Sequence, residues 1–497
     1  MPPPVPENPP WERVKLQEQE FFAARDPEIA QAPNAAARKK LIANLPKSDP
    51  HLYGAFVAEK RRAEGISHML RNSGNFPLTG RGDINTYAVF AETDRNLLAG
   101  TGRLGVILPT GIATDATTQY FFKDLMEHGA LASLYDFENA RRNKPGKTKK
   151  QLWFPGVDSR ISFCLLTLVG HNIGEPVSDF AFFTGDPANL ERSDFRFTLT
   201  PEEITLLNPN TGTCPIFRTR RDAEITLGIY HRVPVLIREG EPDGNPWGIK
   251  FMRMFDMSND SGLFHTRQDL EDDGWTLQGN VFERDKERML PLQEGKMGNR
   301  FDYRAASFFG TGDTDLSAND DHGETSYVLP RYWVSADLVD ERHSRRQVGT
   351  NAGMLGHRRV ARTTDERTSI SALLPWGAAS YGWILSFGPT ATQLATLCAI
   401  YNSFVFDYTL RQSFTQPSIP QSTFEQIPAP TNADLINATI GTTTRTDRWI
   451  ATRAGYLSSA GSSMKRLARE VPCAPGTWEP KIREGIACEL DAAFFHI

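Results

Sequence analysis

DINTYAVFAETDRNLLAGTGRLGVILPT, residues 83–110, contains a change of period. The stretch from about Asn85 to Leu98 reads as a helix, glycines then turn the chain, and Leu104–Leu108 is a short apolar strand stopped by Pro109. Downstream, TTQYFFKDLMEHG (117–129) predicts another helix and LASLYDF (131–137) a short strand. After the basic loop RRNKPGKTKK (141–150), ISFCLLTLV (161–169) reads as an apolar strand. Strands alternating with helices at this spacing predict a three-layer α/β unit with a mostly parallel sheet.

Upstream, the first eleven residues are rich in proline and end in Asn8-Pro9-Pro10-Trp11. Charged, helix-forming stretches follow at 12–30, 34–45 and 52–71. Beyond about residue 190 short apolar runs alternate with Gly, Asn, Asp and Pro, which predicts an irregular α+β region with many loops. Residues 391–410 have a helical pattern, 416–430 read as a linker rich in Pro, Ser and Thr, and the last sixty residues look helical and amphipathic. Three segments result: 1–190, 191–430 and 431–497.

A chain of 497 residues is too long for one core. It has no run of about eighteen apolar residues to span a membrane and no signal peptide at its start, which fits a cytoplasmic protein. Its five cysteines are scattered and never spaced as CxxC, and its ten histidines form no HxH or HExxH pair. Neither a disulfide framework nor a metal site is expected. The net charge of −5 does not favour a purely nucleic-acid-binding protein, but it leaves room for a local basic cleft.

Asn-Pro-Pro-aromatic answers a specific chemical problem. The exocyclic amine of adenine is a poor nucleophile because its lone pair is delocalised into the ring. An Asn side-chain oxygen and a neighbouring backbone carbonyl can each accept one N–H of that amine, drawing it towards tetrahedral geometry and freeing the lone pair. The prolines fix the backbone beforehand and offer no competing N–H. The aromatic residue stacks on a base flipped out of the duplex. Read alone, these four residues are equally the end of a proline-rich tail, so the surroundings decide.

NPPWERVKLQEQEFF, DINTYAVFAE, GRLGVILPT and LYDF stand in the order of the catalytic half of amino-methyltransferases. LNPNTGTCPIFRTRRDAEITLGIYHRVPVLI, NPWGIKFMRMFDMSNDSGLF, YVLPRYWV and LATLCAIYNSFVFDYTLRQ look like the target-recognition region of the same family. Nearly the whole chain resembles the type IIG restriction–modification enzymes and the phage-defence adenine-N6 DNA methyltransferases. The resemblance implies a partial Rossmann-like methyltransferase sheet followed by an irregular α+β target-recognition domain and C-terminal helices. It also implies S-adenosylmethionine as donor, double-stranded DNA as substrate, and Asn8, Pro9, Pro10 and Trp11 as the base-binding catalytic motif. Cytosine N4 is a similar amine, and adenine is preferred by resemblance alone.

The family places a strand, a Gly-rich loop and a helix before this motif to hold the donor. Here only MPPPVPE precedes Asn8, and it does not read as the apolar strand that delivers the motif. The other end stops at AFFHI, where relatives continue. The expectation is therefore a fragment, or a chain whose donor-binding half is another polypeptide. The rival readings are a target-recognition subunit without catalysis and an inactive remnant.

Several patterns compete for attention. Gly100, Gly102 and Gly105 spell G-x-G-x-x-G but follow a helix and precede a strand, the reverse of a dinucleotide loop. Asp313, Asp315 and Glu324 stand at calcium-loop positions, with Ala318 where the turn glycine belongs. Pro242-Asp243 and Glu294-Gly295-Lys296 are too far apart for a convincing nuclease motif. Lys147, Lys149 and Lys150 in the basic loop are candidate phosphate contacts, against the alternative of an exposed connector. Arg218, Arg220 and Arg221 either touch DNA or pair with Asp222 and Glu224.

Overall fold

The computed structural model describes residues 5–141, 151–159, 161–174, 177–308, 316–345, 353–362, 365–414, 418–441, 444–473 and 478–497. The chain divides into two compact units, Met1–Leu227 and Gly228–Ile497.

In the first unit six strands make one sheet: β1 (Val5–Glu7), β2 (Arg103–Pro109), β3 (Leu131–Phe137), β4 (Phe163–Val169), β5 (Ser178–Thr184) and β6 (Phe197–Leu199). Their order is β1-β2-β4-β3-β5-β6. The β1–β2 and β3–β5 pairs are parallel, and the other neighbours are antiparallel. Strands β1, β2, β3 and β5 therefore run one way, with β4 inserted against them. The cause is local: no helix lies between β3 and β4 among the described residues, so β4 returns antiparallel without a crossover.

Three expectations change here. MPPPVPE was not expected to form the delivering strand, yet Val5–Glu7 pairs with Leu104–Val106 in parallel register. Three backbone partners on a preformed neighbour are enough to dock this segment, whatever its proline content, because β1 is an edge strand where a missing N–H is tolerated. The sheet is also thinner than three full layers. Leu104, Val106 and Leu108 are buried, but across the sheet Leu165 is exposed, and a Cβ on Gly105 would meet nothing within 4 Å. Finally, β6 pairs with β5, so residues beyond 190 still belong to the first unit.

Helices α1 (Ala35–Ser48) and α2 (Pro50–Asn72) start at side-chain caps, Asn34 accepting from the Ala37 N–H at 2.8 Å and Asp49 from Leu52 at 2.9 Å. With Phe21, Phe22 and Ile29 they enclose a small core around Ile42, Leu45 and Phe56. Helix α3 (Thr86–Leu97) is capped by Asn85 and packs on β2, and α4 (Gln119–Glu127) precedes β3. Helix α5 (Arg220–Arg232) contains the boundary between the units.

The second unit holds the larger core. An antiparallel sheet of β7 (Lys250–Met252), β8 (Met354–Arg358), β9 (Ser371–Leu374) and β10 (Trp383–Phe387) runs in the order β9-β8-β10-β7. Helix α6 (Ala391–Asn402) is buried almost all round, against β8, β9 and α8 (Thr446–Ser458). The single helix expected over 391–410 breaks at Ser403, which caps α7 (Phe404–Arg411) by accepting from the Phe406 N–H at 3.2 Å. Asn402 ends α6 by accepting from the Ser371 N–H at 3.0 Å and donating to the Ser371 carbonyl at 2.8 Å. The segment read as a linker instead contains a short helix, Gln421–Glu425, and buries Phe424, Ile427 and Ala429 in the main core. Its composition resembles a linker, but its apolar residues have a core to enter. The last labelled helix is α9 (Pro480–Phe494). No helix among the described residues is long and apolar enough to cross a membrane.

Replacing Asn402 with Ala leaves the buried Ser371 N–H without its partner, while the Ser371 carbonyl keeps the Phe301 N–H at 2.9 Å, so a loss of about 1–3 kcal/mol is expected. Urea unfolding checks this, and a loss under about 0.5 kcal/mol would mean that the backbone finds other partners.

Candidate functional site at the ends of the parallel strands

Strand β1 ends at Glu7, opposite Val106, so Asn8 emerges at the carboxyl end of the parallel strands. The following residues are clasped to the start of α3. The Thr86 hydroxyl donates to the Pro10 carbonyl at 2.6 Å and accepts from the Glu12 N–H at 2.9 Å. Backbone bonds from Thr86 N–H to Glu12 O (2.8 Å) and from Val14 N–H to Ile84 O (2.9 Å) extend the clasp. The motif is thus held by a strand on one side and a helix start on the other. Pro9 is buried, Asn8 and Pro10 are exposed, and Trp11 is half-buried. Among the described residues no hydrogen bond takes up the Asn8 side chain or the Pro9 carbonyl.

Sequence reasoning missed the wall beside Trp11. The Phe154 ring lies 5.0 Å from Trp11 at 57°, and 5.0 Å from Phe163 edge-on. Phe137 stacks on Phe163 at 5.5 Å. One buried side chain positions Phe154. Asn139, just past β3, accepts from the Phe154 N–H at 2.9 Å and donates to the carbonyls of Phe154 (3.2 Å) and Val157 (3.1 Å). These residues are more than 120 positions from the motif in sequence, and no pattern in one sequence links them.

Further along the same rim, Asp136 is buried near the end of β3. It accepts from the Thr110 hydroxyl at 2.5 Å and from the Phe183 N–H at 2.9 Å. Phe183 sits at φ 58°, a left-handed conformation uncommon for a bulky residue, at a register irregularity between β3 and β5. Its ring lies 3.9 Å beneath the Arg218 guanidinium. Four strand steps separate β1 from β5, roughly 19 Å along the rim.

The three arginines are therefore distinct. Arg218 is exposed over Phe183 with no carboxylate partner among the described residues. Arg220 donates to the Arg196 carbonyl at 3.3 Å. Arg221 pairs with Glu224 at 3.2 Å, while Asp222 accepts from the Thr219 hydroxyl at 2.7 Å. Lys147, Lys149 and Lys150 lie outside the described residues, as do Asp313 and Asp315.

Among the described residues the glycine turn before β2 does not make a cradle for S-adenosylmethionine. Gly100 and Gly102 lie at the turn from α3 into β2, before the residues that pair with the segment leading to Asn8, and Gly105 is inside β2 itself, paired with Pro6. The turn is filled: a Cβ on Gly170 would come within 2.1 Å of the Ala99 carbonyl, and one on Gly100 within 2.8 Å of the Asn172 side chain.

A mixed α/β sheet with chemistry-bearing residues at one strand end is the class this unit defines. No family model matches the chain, and no curated protein matches it. Among solved structures it is similar to the type IIG restriction endonuclease BpuSI, at 12% identity over 88% of this chain and 52% of that one, with a TM-score of 0.29. It is also similar to a nuclease-deletion mutant of the type ISP restriction–modification enzyme LlaGI in complex with a DNA substrate mimic (10% identity, 91% and 41% covered, TM-score 0.41). A third is the ATP-dependent type ISP enzyme LlaBIII bound to DNA (12%, 99% and 29%, TM-score 0.34). The structural neighbours are thus restriction–modification enzymes, and the chain spans about half of their length or less. At these scores the likeness defines neither family nor activity.

Burial raises the Asp136 carboxyl from 3.8 to about 6, against the lowering effect of its bonds from Thr110 and Phe183. The folded chain then holds this proton more tightly than the unfolded chain. The stabilisation is complete below the unfolded value and is lost as pH rises to about 6. The shift of about two units corresponds to about 3 kcal/mol. Asp136→Asn does not titrate and keeps both bonds, with the Thr110 hydroxyl turned to accept. Its stability relative to wild type is expected to grow by about that amount between pH ~4 and ~7. Parallel pH profiles in urea unfolding would show instead that Asp136 is not the titrating group.

Proposed function

We propose that this chain supplies the base-accepting and DNA-reading part of an S-adenosylmethionine-dependent adenine-N6 DNA methyltransferase in a restriction–modification or phage-defence system. The observation that carries the reading is the pairing of an Asn8 side chain and a Pro9 carbonyl, unpartnered among the described residues, with the Trp11–Phe154 aromatic wall, on a segment fixed at both ends. In this reading the duplex lies along the rim and one adenine is extruded from it. Trp11 takes the face of the base, with Phe154 beside it. Asn8 and the Pro9 carbonyl accept its two amine N–H groups, leaving the nitrogen lone pair directed away from them. The acceptors are placed before the base arrives, so little reorganisation remains for the reacting complex. Arg218, roughly 19 Å along the rim, is placed to meet a phosphate of the same duplex, a contact that positions without reading sequence.

The donor supplies the methyl group when bound, and the filled glycine turn before β2 is not the loop that would hold it. That observation favours a second reading, in which the chain by itself is a target-recognition subunit and catalysis requires a donor-binding polypeptide.

The deciding assay is methyl transfer to duplex DNA by this chain combined with a donor-binding polypeptide, with N6-methyladenine read by mass spectrometry. Asn8→Ala is expected to lower the rate by about a hundred to a thousandfold, with duplex affinity nearly unchanged because phosphates dominate it. Full activity in Asn8→Ala would remove the catalytic assignment. DNA binding without methylation in the completed wild-type system would establish the recognition-subunit reading.

A further inference from the structure

Within the second unit a cavity of about 590 Å³ gathers four arginines, Arg300, Arg358, Arg367 and Arg483. Their flat faces are occupied by aromatic rings where the rings are close. Arg483 lies 3.8 Å over Trp478, and Arg367 lies 3.6 Å over Phe404. Trp478 is itself stacked at 3.5 Å on His322, whose Nε2 faces the Asp302 carboxylate at 3.1 Å. Guanidinium groups held by their faces keep their N–H edges for an in-plane partner.

Those edges are short of acceptors. Arg483 is only 9% exposed, yet among the described residues its Nη1 has no hydrogen-bond partner. Arg367 Nη1 and Arg300 Nε are likewise buried without one. The nearby carboxylate Asp491 is already shared: its Oδ2 accepts from Arg300 at 3.3 Å and from Arg367 at 3.2 Å, and its Oδ1 from the Phe404 N–H at 2.8 Å. Asp302 is committed to His322 and to the Arg304 N–H at 2.9 Å. Burial lowers the pKa of Arg358 and Arg367, the latter also through the charge of Arg300, and brings Arg483 down to about 10. An anion with several acceptor oxygens is the partner that such a cluster of cationic N–H groups would take.

We infer that this cavity binds a small phosphate-bearing molecule, up to the size of a mononucleotide. Its volume falls in the range of about 300–1,000 Å³ typical of small-molecule sites, far more than one phosphate fills. Asp365 and Glu366, both exposed, line the same cavity. Two solvent-facing carboxylates oppose a duplex, whose charges recur about every 1.7 Å along its axis, while a single small anion passes them. Nothing in the site draws on the motif at Asn8.

Calorimetry on the full chain tests this with inorganic phosphate, AMP, adenosine and a short duplex as probes. Phosphate and AMP are expected to bind at one site, and adenosine is not. AMP tighter than phosphate identifies a nucleotide site, and equal affinities a site for the phosphate group alone. Arg483→Met is expected to weaken AMP binding by about tenfold or more, as loss of a charge-assisted bond does. Should that variant fail to fold, Arg367→Lys keeps the charge and loses the fork, and with an unchanged circular dichroism spectrum it is still expected to weaken binding severalfold. Absence of binding by both phosphate and AMP, or wild-type affinity in the folded variants, would overturn the site. So would a duplex that displaces AMP and itself loses affinity in Arg483→Met, because the cavity would then be a DNA-backbone contact.

Discussion

Three residues of edge strand, Val5–Glu7, set where Asn8 comes to rest. So short a strand is weak by itself, and the Thr86 hydroxyl makes up for it. This one group accepts from the Glu12 N–H and donates to the Pro10 carbonyl, so it closes the chain on the far side of the motif. Thr86 can do so because Asn85, not Thr86, serves as the cap of α3. The Pro10 carbonyl is consumed in this clasp, and the Pro9 carbonyl is left as the backbone acceptor beside Asn8. The prolines, the strand and the helix start therefore all act on the same few backbone atoms.

The rest of the rim follows the same pattern of a buried polar side chain holding a half-buried aromatic one. Asn139 uses its amide on the backbone around Phe154, and Asp136 uses one oxygen to hold Phe183 in a conformation it would not choose freely. Each aromatic ring then carries a neighbour, Trp11 in one case and the Arg218 guanidinium in the other. Because Asp136 is near the end of β3 and Asn139 is two residues past it, the two places on the rim share one strand end as their common support.

The period change at 83–110 made α3, the glycine turn and β2 legible, and the apolar runs gave β3 and β4 within a residue or two. The reversed order around Gly100–Gly105 was legible too, since it rests on local elements alone. What escaped was non-local. The docking of Val5–Glu7 depends on β2, nearly a hundred residues later, and the Asn139–Phe154–Trp11 relay depends on loops whose ends meet only in the sheet. The break at Ser403 was hidden inside an apolar run whose helical pattern continues through it. The segment 416–430 was misread because composition reports polarity and not whether Phe424 and Ile427 have a core to enter.

In the proposed function, Trp11 and Phe154 receive an unpaired purine. Titrating the full chain into a single-stranded oligonucleotide carrying 2-aminopurine tests it directly, because stacking on an aromatic ring quenches that base. Quenching at saturation is expected, with most of it lost in Trp11→Ala and in Phe154→Ala, and with affinity for the oligonucleotide lowered by roughly five- to a hundredfold, as loss of about 1–3 kcal/mol of stacking implies. Equal quenching in wild type and both variants would place the base elsewhere and contradict the account.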